Sequence, residues 1–167
     1  MMENKFICNF YANELQAEYR ATRKCLEKIP ENIYHFKPHP KSMELGYLAL
    51  LVAEIPLWIV HIIKEGVVDF VTYKHFQLST SEALLQHYEE NFKNAMRTLQ
   101  QTSDDKLEDQ FILRNGEQQL MSSSKKESLG SSINHWVHHR GQLTVYMRLN
   151  DIAVPSIYGP SADEKKF

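Results

Sequence analysis

The chain has 167 residues, 43% of them hydrophobic and 24% charged, which suits one globular domain able to bury roughly 70% of its unfolded surface. Lys and Arg number 19 and Asp and Glu 21, for a net charge of −2. With no basic stripe to neutralise phosphates, nucleic acid is excluded as a partner.

The chain opens Met-Met-Glu-Asn-Lys, with no apolar run behind it, so it does not read as a secretory signal. The first helix is predicted from about Asn4 to Ile29, with Phe6, Phe10, Leu15, Tyr19 and Leu26 recurring at helical spacing and Pro30 as the stop. Cys8 and Cys25 on this helix would stand about 25 Å apart, too far for a disulfide, which fits a reducing compartment. Residues 30–41 carry three prolines and read as a connection.

Ser42 is expected to cap the second helix, which ends at Gly66. Its stretch Tyr47 to Ile63 is apolar but holds Glu54, Pro56 and His61, so a buried core helix is expected and not a membrane span. A cytoplasmic location follows as the expectation. Pro56 should kink the helix near Val52, where it frees a carbonyl. Ser79-Thr-Ser-Glu82 matches a capping box for the third helix, whose apolar side is Leu84, Leu85, Tyr88, Phe92, Met96 and Leu99. Phe111-Ile-Leu113, Asn115-Gly116 and Gln119-Leu-Met121 read as a hairpin with a type I′ turn. A fourth helix is predicted from about Lys125 to Asn150, and the tail to Phe167 holds Pro155, Gly159 and Pro160 and cannot continue it. The expected architecture is a single all-α domain over residues 1–167. It is an antiparallel four-helix bundle with a short hairpin insertion before the last helix and an extended C-terminal tail.

Three of the eight histidines, His135, His138 and His139, fall within five residues of the fourth helix. At 100° per residue His135 and His139 lie about 40° apart, one turn from each other, at the edge of the sector holding Leu129, Trp136, Leu143 and Met147. That pair faces inward, and His138 turns toward solvent. Two histidines at i and i+4 can reach one divalent ion, but the spacing equally suits two core histidines donating to carbonyls or carboxylates.

The run His135-Trp-Val-His-His-Arg-Gly-Gln-Leu143, then Tyr146-Met-Arg-Leu149 and the tail Val154-Pro-Ser-Ile-Tyr-Gly-Pro-Ser-Ala-Asp-Glu164, resembles the DinB-like superfamily of damage-inducible helical proteins. Ser42-Met-Glu-Leu-Gly46 and Ala53-Glu-Ile-Pro56 match its second helix, so the resemblance covers almost the whole chain. It implies a four-helix bundle, commonly a homodimer, with a divalent metal such as zinc or nickel held by three histidines. His135 and His139 match two of them, and the third falls at Leu51, which cannot ligate. Glu54, one turn on, is the replacement ligand available, since His61 lies about 15 Å from position 51 along the helix.

In such relatives the metal would lower the pKa of a bound thiol or water. The resemblance therefore implies a metal-dependent enzyme of the thiol S-transferase type (bacillithiol or mycothiol) or of the hydrolase type, acting on a small molecule through a degenerate site. The alternative is a non-catalytic, dimeric ligand-binding or stress-associated bundle that has lost the site with the Leu51 ligand.

Arg140 also points inward, where an unpaired guanidinium is costly, so it reads as an ion pair with Glu54 or another acid, or as a substrate-anion contact. Tyr146 shares the histidines' direction and either donates to a substrate or fills the core. Gly141 on the opposite side would permit close helix approach, as at a dimer interface. Tyr158 is expected to close over one end of the bundle, by the resemblance alone.

Overall fold

The computed structural model describes residues 4–165, a mostly helical fold with one small sheet. The four long helices are α1 (Phe6–Leu26), α2 (Leu45–Val60), α3 (Ser81–Gln101) and α4 (Lys125–Leu149). α2 packs against α3 and α4, and α1 against the same two helices, while α1 and α2 barely touch. Their apolar faces share one core built from Leu15, Leu26, Leu45, Leu48, Ile59, Leu84, Tyr88 and Trp136.

α2 starts at Leu45 with Glu44 at its N-cap, so Ser42 does not cap it. The first amides of the helix are satisfied differently: Leu45 N donates to the Phe36 carbonyl and Gly46 N to the Tyr34 carbonyl, both at 2.9 Å. Gly46 is required there, because a Cβ would lie 2.9 Å from the Tyr34 side chain. The helix continues through Pro56 without a break. The carbonyl that Pro56 leaves free, that of Val52, accepts from the Trp136 indole N–H at 2.9 Å. A π-helical turn (His61–Glu65) follows and ends at Gly66, whose φ of 70° is the left-handed C′ conformation. The apolar stretch Leu45–Glu65 is long enough to cross a membrane, but 67% of its 18-residue apolar window is buried inside the fold.

Thr80, not Ser79, caps α3, accepting from Ala83 N at 3.0 Å. The neighbouring Ser81 hydroxyl donates to the Ile29 carbonyl at 2.6 Å, which ties the α3 start to the end of α1. The hairpin is present as β2 (Gln110–Asn115) and β3 (Gln118–Ser124). Its two turn residues are Gly116 and Glu117, and Gly116 alone has positive φ, which a type I′ turn would need at both. A third strand, β1 (Val67–Asp69), pairs parallel to β2, with the chain through α3 as the crossover. Three residues are too few to show the alternation that marks a strand in sequence. Ser124 and Glu127 form a reciprocal capping box that starts α4.

Candidate functional site

α4 presents His135, His139, Gln142 and Tyr146 on one stripe, at steps of three and four residues. His135 and His139 do come together: their Nε2 atoms are 2.6 Å apart. His139 is buried at 7% exposure, and His135 sits at the exposed rim. Gln142 Oε1 lies 2.7 Å from His139 Nδ1. An amide oxygen only accepts, so Nδ1 carries the proton and Nε2 carries the lone pair. His135 Nε2–H therefore donates to His139. Partial desolvation, then its imidazole neighbours, hold the His135 pKa below the usual histidine value. Burial does the same at His139, with the Gln142 bond opposing it. Gln142 went unremarked in the sequence, although its place three residues after His139 could have drawn attention to it.

Past Gln142 a cleft of about 320 Å³ opens between the 41–43 segment and α4, lined by Lys41, Ser42, Met43, Gln142, Val145 and Tyr146. The Tyr146 hydroxyl donates to the Met43 carbonyl at 3.1 Å and so closes one wall.

Glu54 is elsewhere. The 2%-exposed carboxylate lies 2.9 Å from His75 Nδ1, accepts from the Phe76 amide at 2.9 Å and lies 3.3 Å from His87 Nε2. Burial pushes its pKa up, but the bonds from His87, Phe76 and His75 outweigh that and leave it below the ordinary carboxylate value. Both oxygens are thus engaged on the strap between β1 and α3. Among the described residues no group of three His, Cys, Asp or Glu is arranged to hold a metal ion. The three-ligand metal centre does not fit: Leu51 is a partly buried packing residue, and Glu54 is committed to its histidines.

The partner of Arg140 is Glu18. Its 2%-exposed guanidinium pairs with Glu18 Oε2, bonds the Thr22 hydroxyl at 3.1 Å and donates to the Tyr158 hydroxyl at 2.9 Å. Tyr158 in turn donates to Glu18 Oε1 at 2.9 Å. Every one of these contacts is internal, so Arg140 reads as structural. Burial raises the Cys25 thiol to about 11 and, with Asp104 beside it, the Cys8 thiol to about 12, which favours the protonated thiol at neutral pH.

The structure resembles a DinB-like protein of Bacillus subtilis, YjoA, with a TM-score of 0.68 and 20% identity over 95% of this chain and 100% of that one. A DinB-like protein of Bacillus cereus ATCC 10987 superposes with a TM-score of 0.69 at 22% identity, over 90% of this chain and 97% of the other. Over 32 residues the chain is 56% identical to the uncharacterized protein YrdA of Bacillus subtilis, a match that spans only 19% of that relative's length and 19% of this chain. The DinB family profile matches residues 1–166, and the chain belongs to the DinB family.

Proposed function

We propose that this DinB-family chain binds a small molecule in the cleft headed by Gln142, the residue bonded to His139, without a three-ligand metal centre. The observation that carries this reading is the hydrogen-bonded line His135, His139, Gln142 opening onto a cleft of about 320 Å³, within the size range of small-molecule sites. Lys41 supplies the cleft's one formal charge, and Met43 and Val145 its apolar walls. Such a site binds and orients a ligand.

The test is a thermal-shift titration with small thiols (L-cysteine and glutathione) on wild type and on Val145→Trp, which fills the cleft from its exposed side. A ligand should raise the wild-type melting temperature and leave Val145→Trp unmoved. No shift in either protein, or equal shifts in both, overturns the reading.

One observation favours a second reading, that of a metal-dependent thiol S-transferase or hydrolase using zinc or nickel. Both Nε2 atoms converge, and His139 Nδ1 is held by an amide oxygen, as metal-bound histidines are held. Calorimetric zinc titration separates the two. Weak binding by wild type and at least tenfold tighter binding by Leu51→His support a centre disabled at one position. Tight one-to-one binding by wild type supports the second reading. The Trp136 bond to the Val52 carbonyl supports the choice of Leu51→His, since it brings α4 to the 51–52 step of α2.

The same Trp136–Val52 bond, with Tyr146 on Met43, supports reading α2 and α4 as antiparallel members of a four-helix bundle. The exposed face of Gly141, Val145 and Leu149 supports a homodimer, since a Cβ at Gly141 would meet nothing within 4 Å. The cytoplasm is the proposed location.

A further inference from the structure

A smaller cavity, of about 170 Å³, lies between α1 and the C-terminal tail and shares no lining residue with the cleft on α4. Ala17, Arg20, Ala21 and Lys24 form its helix wall, and Ser156 and Ile157 its tail wall. Steps of three and four residues put all four helix positions on one face of α1. The two alanines leave a low, apolar floor beside the two long cations. The walls are tied to each other at two points. Tyr158 donates to Glu18 at 2.9 Å, and Glu164 joins the Ser156 amide, at 3.0 Å, to Lys24. The cavity is therefore held in shape by contacts internal to the chain.

Its two cations differ. Lys24 has its counter-charge in Glu164. Arg20 is exposed, and among the described residues it has no acidic partner. Its helix neighbours three and four residues away are Gln16, Ala17, Arg23 and Lys24, none of them acidic. Arg23, the next cation along, is spent on Glu27 and Glu89. A guanidinium thus borders the cavity with its donors uncommitted.

We infer that this cavity binds a small aliphatic carboxylate, with the carboxyl group on Arg20 and the alkyl end against Ala17, Ala21 and Ile157. The guanidinium fork matches the two oxygens of a carboxylate and gives a paired, charge-assisted contact. Volume sets the length of the ligand. A cavity of about 170 Å³ falls below the roughly 300 Å³ at which sites for drug-sized ligands begin, so the ligand is a few carbons long. Charge selects carboxylate over phosphate. One uncommitted cation balances one negative charge, and a second negative charge would meet the Glu164 carboxylate already seated on Lys24. Phosphate also lacks an alkyl part to cover the alanine floor.

Amide chemical shifts of the intact protein, titrated with sodium butyrate and with sodium chloride at matched ionic strength, test this. Butyrate should move the Ala21 and Ile157 signals saturably in the millimolar range, and chloride should not. Arg20→Gln should weaken butyrate binding roughly tenfold by removing the charge. Ala17→Leu should weaken it to a similar degree by filling the floor while Arg20 stays, which tells a built site from bare attraction to a surface guanidinium. Both positions are exposed, so both variants should fold. Sodium phosphate is the third titrant, and tighter binding of phosphate than of butyrate overturns the choice of ligand. Shifts that do not saturate, equal shifts with chloride, or unchanged butyrate affinity in either variant overturn the site.

Discussion

Two pairs of histidines face different things, and the contrast explains how one residue type can work in two ways in one fold. On α4, His135 and His139 face each other, 2.6 Å apart with no acid between them. Between α2 and α3, His75 and His87 face a carboxylate. Burial disfavours a proton on either member of the first pair, with neighbouring imidazoles adding to it, and both pKa values are lowered. A proton on the second pair meets an anion. The first arrangement suits a neutral, ligand-facing site, and the second suits a structural tie.

The largest expected effect breaks the second pair. Glu54→Leu leaves the Phe76 amide and two imidazoles without their acceptor and should cost about 3 kcal/mol in urea unfolding. A loss below about 1 kcal/mol would mean that the carboxylate's burial offsets its bonds. Gly66→Ala is next, at about 1–2 kcal/mol, because a side chain at φ 70° is strained and its Cβ would lie 3.4 Å from the Gln110 carbonyl at the strap's entry. Smaller again is His139→Leu, expected within about 1 kcal/mol of wild type. His135 is exposed and Gln142 only half-buried, so both regain water as a partner.

The smallest effect is the pH profile, and it separates the pairs. A group whose folded pKa is depressed stabilises the fold above its unfolded pKa, and that stability is lost as pH falls through the folded pKa. For His135 and His139 the loss begins below pH about 6.5, and for Glu54 only below about 4.5. In urea unfolding at a series of pH values, His135→Gln/His139→Gln should flatten the upper segment and Glu54→Gln the lower one. The reverse assignment would show that the contrast has been drawn the wrong way round.

How far each pair was legible in the sequence follows from its geometry. His135 and His139 are one turn apart on a helix with clear periodicity, so their meeting could be read from spacing alone. The inward placement of Arg140 was legible for the same reason, but not its partner, because Glu18 is on α1, far away in the chain. Glu54 was equally visible as a buried acid on an apolar helix, but its partners were not. His75 and His87 lie 21 and 33 residues from it, and the strap that delivers His75 has no repeat to betray where it lands. The four helices and the hairpin were legible from periodicity and turn residues. The start of α2 was not, because backbone carbonyls of Tyr34 and Phe36 do the work expected of Ser42.

The tail has a consequence for the order in which the protein is made. Residues 154–164 close over α1, with Tyr158 on Glu18 and Arg140, and Glu164 on Lys24; the two contacts with α1 each join positions 140 residues apart. A ribosome releases α1 long before it releases the segment that seals it. Throughout synthesis, Glu18 and Thr22 wait for Arg140, and all three then wait for Tyr158. A chain cut after residue 150 keeps the four helices but leaves the Arg140 guanidinium without Tyr158.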